Sequence, residues 1–351
     1  MTSQQNLQER FAGLLLGTAV GDALGLPAEG LSRKTIERRW HGVWRHRLIF
    51  GQGMCSDDTE HTLFVAQALL AHPDHPALFQ ACLAWKLRLW LIGLPAGIGF
   101  ATLRAILKLW IGFPPGRSGV FSAGNGPAMR SAIIGAYFAG DEATRRHFVS
   151  AATRVTHTEP KAEIAALAVA EAAAWACTRA EPNFLSKLSS LSRDNEWQSL
   201  CEKLRQALAR GDSVGSFADE LGLQKGVSGY AYHSVPVALY AWLRHLGDFS
   251  SALKAGLDCG GDTDTVGAII GALAGTTCGE QGIPAEWVGK IWEWPRSCGF
   301  MRQVATRLTQ QSTCQKPLGP VRYCWPGLIG RNILFLLVVL THGVMRMARR
   351  P

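Results

Sequence analysis

The chain has 351 residues, 47% hydrophobic and 18% charged, which excludes global disorder and allows one large domain or two ordinary ones. A net charge of +9 and a pI of about 9.2 suit a phosphate-bearing substrate, a membrane surface or nucleic acid. The basic residues are scattered through Arg33–Arg47, Lys86–Lys108 and Arg346–Arg350 with no nucleic-acid-binding motif, so nucleic acid is set aside as a partner.

Alanine, leucine and glycine dominate and β-branched alternation is scarce, so the composition points to a helical protein. The N-terminal LQERFAGLLLGTAVGDALG has apolar positions at helical spacing, with Gly13, Gly17, Gly21 and Gly25 every fourth residue. Glycine costs helix stability, so the stripe implies a central helix in close packing. The segment is a poor signal peptide: Glu9 precedes its apolar part, Asp22 interrupts it and no basic region leads it. Glu29 follows in GDALGLPAEG.

MCSDDTEHTLFVAQALL opens with Ser56, Asp57, Asp58 and Thr59, then runs on as an apolar periodic helix. Ala84–Pro115 is strongly apolar, with Trp85, Trp90 and Trp110 among Lys86, Arg88, Arg104 and Lys108. It reads as two helices joined near Gly93–Gly99. They are either buried near the rim of the site or laid on a membrane as a basic amphipathic surface. In FSAGNGPAMRSAIIG, Gly124-Asn125-Gly126 exposes backbone N–H groups at a helix start, a weak signal for phosphate or ribose. In THTEP, Thr156 and His157 precede a helix from Lys161, and a lone histidine is usually a packed or capping residue. The stretches KAEIAALAVAEAAAWACTRA, SVPVALYAWLRHL and TVGAIIGALAG also read as helices.

GGDTDT places Asp262, Asp264 and Thr265 at the mouth of the last of these. A single cap would explain one aspartate. Two carboxylates here, and the adjacent pair Asp57–Asp58 elsewhere, exceed what caps require, since neighbouring carboxylates repel without a cation. Four carboxylates with hydroxyls form a hard oxygen donor set, suited to Mg²⁺, Mn²⁺ or Ca²⁺ rather than zinc. A pair of ions is chemically reasonable.

The tail holds a polar stretch Gln303–Gln315, a turn-rich KPLGPVRYCWPG and the apolar run Ile333–Leu340, closed by Arg346, Arg349 and Arg350. The run is short for a span, which needs about 20 residues. It reads equally as a docked or interfacial helix and as a tail anchor with a cytoplasmic flank. The nine cysteines are odd in number and form no CxxC, and Cys82, Cys177 and Cys278 sit in apolar stretches. They read as reduced thiols in a cytoplasmic compartment.

GTAVGDALGLPAEG, SDDTEHT, GNGPAMRSAIIG, THTEP, SVPVALYAW, GGDTDTVGAIIGALAG and IPAEW together, in this order, resemble the ADP-ribosylglycohydrolases, among them the dinitrogenase-reductase-activating glycohydrolase and the animal ADP-ribosyl hydrolases. The resemblance covers residues 7–300 and leaves 301–351 as a C-terminal extension with a hydrophobic helix. It implies an all-α, orthogonally packed single domain with two Mg²⁺ or Mn²⁺ ions in a cleft. It places Ser56, Asp57, Asp58, Asp262, Asp264 and Thr265 on the metals, and Glu29 or Asp57 on the attacking water. Gly124, Asn125 and Gly126 would hold ADP-ribose, with Phe121 and Ser122 at the edge and His157 near the diphosphate or ribose. The implied reaction is hydrolysis of the bond between ADP-ribose and a protein side chain or small conjugate. A non-catalytic ADP-ribose binder or structural relative is the alternative. The Trp-rich segment and the tail are not part of this pattern, and they leave the acceptor open.

Overall fold

The computed structural model describes residues 3–178 and 183–348. It is all-α, with eighteen α-helices among the described residues and a single two-stranded pairing. Arg349 and Arg350, expected to flank the last helix, lie outside the described residues, as does the side chain of Arg346. So do Arg179 and Ala180, at the end of a helix expected over 161–180 and observed as Pro160–Thr178.

The glycine stripe explains the centre of the fold. The N-terminal helix Ser3–Gly25 runs antiparallel to Thr263–Cys278. Gly13, Gly17 and Gly21 meet Gly275, Gly271 and Gly267 in turn, and Gly25 meets Thr263, backbone against backbone. A Cβ at any of these positions would fall on the facing carbonyl. Close approach is the return on the helix propensity these glycines forfeit. The N-terminal helix is apolar enough to pass for a membrane span, yet it is almost wholly buried, so it is a core helix.

Asp57–Ala71, Ala132–Tyr137, Pro160–Thr178, Ala231–Arg244 and Phe249–Leu257 pack round this pair. The helix Cys298–Cys314 does too, burying Phe300, Met301, Val304, Ala305 and Leu308. The boundary expected near residue 300 therefore falls inside a core helix. In the stretch Gln303–Gln315 the apolar residues recur at helical spacing on the inner face, where Thr309 and Gln311 are also buried and Gln311 donates to Leu69 O.

The Trp-rich segment forms two helices, Pro76–Ile92 and Phe100–Trp110. It is neither wholly buried nor wholly free. Leu83, Leu87, Trp90, Ala105, Ile106 and Leu109 are buried, while Trp85, Leu89, Phe100, Leu107 and Trp110 are exposed. The last helix, Gly327–Ala348, lies on the domain by one face. Phe335 and Val338 pack with Leu48 and Met54 in a small second core.

Candidate active site

Two helix mouths and two loops converge. Ser56 caps Asp57–Ala71 by accepting from the Asp58 N–H (3.3 Å). The chain beyond the N-terminal helix turns at Leu26–Ala28, and Leu31–Ser32 pairs antiparallel with Gly260–Gly261, which brings Glu29 within electrostatic reach of Asp57 and Asp264. Gly261 has φ +84°, and a Cβ there would strike Val227, so the tight approach to the second mouth needs glycine. Asp262 occupies the N-cap position of Thr263–Cys278, yet its side chain makes no capping bond. It accepts from the Asn125 amide instead (2.6 Å).

The two mouths touch. The Thr265 hydroxyl donates to Asp58 Oδ2 (3.3 Å), as does the Ser56 hydroxyl (3.1 Å). Ser56, Asp58, Asp264 and Thr265 are buried, Asp57 and Asp262 half-buried, and Glu29 exposed. Burial, with the charges of Asp22, Glu29 and Asp262, pushes Asp57 up to about 7. Burial with Asp22, Asp57 and Asp262 raises Asp58 well above the usual carboxylate range, and burial with Asp262, Glu29 and Asp58 does the same to Asp264. The carboxylates are thus close enough to oppose one another's ionisation.

Asp22 is the residue the motif reading missed. It is fully buried on the N-terminal helix and accepts from the Ser56 N–H (2.9 Å), the Thr59 N–H (3.2 Å) and the Thr59 hydroxyl (2.5 Å). Burial outweighs these donors and raises it to about 6. Arg130 was also missed. It is fully buried and donates to Ala152 O (3.0 Å) and the Thr156 hydroxyl (2.6 Å), facing His61 Nδ1 at 3.3 Å. Burial lowers it to about 10 against the opposing charge of Asp57.

The Gly124–Gly126 loop is pinned on both sides. The Asn125 N–H donates to Gly229 O (3.0 Å), and Ala123 O accepts from the Ala231 N–H (2.8 Å). His157 lies beneath it: a Cβ on Gly124 or Gly126 would meet its ring. Its Nδ1 pairs with the Thr156 hydroxyl (2.9 Å), and burial with the Arg130 charge lowers it to about 3. The ring thus supports the loop as a neutral imidazole. Phe121 is 80% exposed and Ser122 half-buried, both on the loop's approach.

The donors suit divalent cations. Among the described residues no three His, Cys, Asp or Glu side chains form a closed coordination cage. The oxygens are spread over two helix starts, and Asp58 Oδ1 is buried without a hydrogen-bond partner. A buried carboxylate oxygen with no donor, among like charges, fits a hard cation.

The ADP-ribosylglycohydrolase family model matches residues 3–317. The chain belongs to the ADP-ribosylglycohydrolase family. Within that family it is 32% identical over 314 residues to an uncharacterised protein of Archaeoglobus fulgidus, covering 86% of this chain and 96% of the relative. It is 28% identical over 294 residues to the ADP-ribosyl-[dinitrogen reductase] glycohydrolase of Rhodospirillum rubrum, covering 82% and 91%. A solved ADP-ribosylglycohydrolase-related protein complex superposes with a TM-score of 0.61 at 29% identity, over 88% of this chain and 99% of that one. Membership of the family supports the reaction class, hydrolysis of an ADP-ribosyl linkage.

Proposed function

We propose that this ADP-ribosylglycohydrolase is a divalent-cation-dependent glycosidase that releases ADP-ribose from a modified protein side chain or a small ADP-ribose conjugate. The observation that carries the reading is the meeting of the Asp57–Asp58 and Asp262–Asp264 helix mouths through Thr265 and Asp58, with Asp58 Oδ1 left unpartnered. Ser56, Asp57, Asp58, Asp262, Asp264 and Thr265 would hold two Mg²⁺ or Mn²⁺ ions. When bound, such ions supply positive charge that offsets the carboxylates and polarises hydroxyl and water oxygens.

The chain's own residues do the rest. The Asn125 N–H is taken by Gly229 O, so the N–H groups of Gly124 and Gly126 are those that would meet a phosphate oxygen. Asn125 is fixed by Asp262, which ties the loop to the second mouth. Phe121 offers an exposed ring to a base or sugar face, with Ser122 beside it. The Glu29 charge acts on Asp57, so the two lie within electrostatic reach of each other, and one of them would take the proton of the attacking water. The same ring of carboxylates stabilises an oxocarbenium-like centre at the anomeric carbon.

The test is release of free ADP-ribose from arginine-linked, serine-linked and O-acetyl-ADP-ribose substrates, each with Mg²⁺, with Mn²⁺ and with chelator. Metal-dependent release from one of them establishes both the class and the acceptor. No release from any, with folded and metal-loaded protein, would favour a binder of ADP-ribose over an enzyme.

A further inference from the structure

The last helix is strongly apolar over Gly327–Val344, and only one face of it is covered. Leu328, Arg331, Asn332, Phe335 and Val338 face the domain, while Ile333, Leu336, Leu337, Leu340 and Val344 form an exposed stripe at helical spacing. The stripe continues on the neighbouring turn. The Asn332 amide donates to Gly93 O (2.7 Å), which brings exposed Ile92 and Leu94 alongside. Beyond them the helices Pro76–Ile92 and Phe100–Trp110 expose aromatic rings with cations laid over them. Arg88 sits 4.9 Å from Trp85, Arg104 sits 5.7 Å from Phe100, and Lys108 sits 5.0 Å from Phe113.

The charge of the protein is segregated onto these segments. Residues 75–140 and 294–351 contain fifteen lysines and arginines and no aspartate or glutamate, while the rest of the chain has 21 basic against 27 acidic residues. The whole positive excess therefore belongs to the two stretches that carry the apolar surface. Arg130, Arg296 and Arg331 are buried, and Arg296, Arg302 and Arg331 pair with Glu60, Glu280 and Glu293, which leaves Arg88, Arg104 and Lys108 as the cations beside the exposed rings. A second copy of the chain docking face to face would bring these cations together, which like-charge repulsion opposes. An anionic lipid surface satisfies both the charge and the apolar stripe.

We propose that the protein docks as an interfacial, non-spanning protein on anionic lipid through the outer stripe of Gly327–Ala348 and the adjoining Ile92–Leu94 turn. The helix does not leave the domain to cross a bilayer. Arg331 at its start is buried, donates to Glu293 (2.5 Å) and Cys55 O (2.5 Å), and covers Phe335 at 4.4 Å. Pulling it out would strand Glu293 as a buried charge. The apolar stretch beyond it, Ile333–Val344, is about 18 Å long, short of a hydrocarbon core of about 30 Å. The inference does not depend on the reaction proposed above.

The experiment is flotation of the full-length protein with vesicles of phosphatidylcholine alone and of phosphatidylcholine mixed with phosphatidylglycerol. The expected result is flotation with the anionic vesicles, weakened by added NaCl and released by alkaline carbonate. L336E/L340E and, independently, I92E/L94E should each lower the partition coefficient by about tenfold or more. All four positions are exposed, so the thermal midpoint should not move. Flotation with neither vesicle overturns the proposal, as does equal flotation with both. Carbonate-resistant protein would show a spanning helix instead. A dimer dissociated by L336E/L340E, without flotation, would give the face to a second copy.

Discussion

Gly21 and Gly267 face each other across the central helix pair so closely that a Cβ on either would coincide with the other's carbonyl. Gly21→Ala should therefore force the two helices apart. Overpacking of this kind costs about 1–3 kcal/mol, and here the obstacle is backbone, which cannot rotate away. Gly330 is the control. It is exposed in the last helix with nothing within 4 Å of its Cβ position, so Gly330→Ala should stabilise by about 0.5–1 kcal/mol through helix propensity. Urea unfolding of both variants checks the contrast. Equal and small effects would remove the close-packing account.

The sequence disclosed the glycine stripe on the N-terminal helix, and Gly267, Gly271 and Gly275 were visible in GGDTDTVGAIIGALAG. That the two stripes face each other was not visible, because each helix alone says only that one face is narrow. The carboxylate mouths were legible because adjacent aspartates before an apolar run are locally costly. Asp22 was legible in the same way, as a charge inside an apolar helix, yet it was read only as a break in hydrophobicity. Its partners Ser56 and Thr59 come from another part of the chain. Arg130 sits in a quoted motif, but its burial against Thr156 and His61 depends on tertiary contacts that no periodicity carries. That His157 lies against Gly124 and Gly126, with Thr156 on its Nδ1, depends on tertiary contacts in the same way.

Chelation should expose the strain among the carboxylates. In metal-free protein Asp22 and Asp57 titrate near about 6 and about 7, above the ordinary 3.8. The folded state then holds protons that the unfolded chain has lost. Their contribution is neutral below pH 4 and turns destabilising as the pH rises through 7. Thermal midpoints in EDTA should therefore show a growing loss from these groups over that window, and saturating Mn²⁺ or Mg²⁺ should relieve it. Asp58→Asn and Asp264→Ala should abolish the relief and the turnover together, while Glu29→Gln should keep the relief and lose turnover. Full turnover in Asp264→Ala would sink the metal assignment.

His157 has the opposite sign. Its folded value of about 3 lies below the ordinary 6.5, so it is neutral in the fold and charges on unfolding. The stability it contributes is complete above pH 6.5 and is lost as the pH falls toward 3. Each unit in that window removes about 1.4 kcal/mol. Comparison of the wild type with His157→Gln cancels the carboxylates. The wild type should lose ground to the variant between pH 6.5 and 5, as read from urea midpoints in parallel buffers. Parallel curves would mean that the imidazole is already charged in the fold.

Arg331 and Glu293 hold the Cys55 peptide from both ends. Glu293 Oε1 accepts the Cys55 N–H (2.7 Å), and Arg331 donates to the Cys55 carbonyl (2.5 Å) while pairing with the same Glu293. Cys55 immediately precedes Ser56, so the pair fixes the backbone that aims the first carboxylate mouth. Both side chains are at most 7% exposed. Removing one partner should cost about 3–5 kcal/mol, since the other is left as a buried charge. Arg331→Met and Glu293→Gln should each be severe, and the double variant should cost clearly less than their sum. If the double variant folds, its turnover should still fall, because the Cys55 carbonyl has lost its charged donor. A double variant with additive destabilisation and unchanged kcat would show that the pair neither interacts nor positions the mouth.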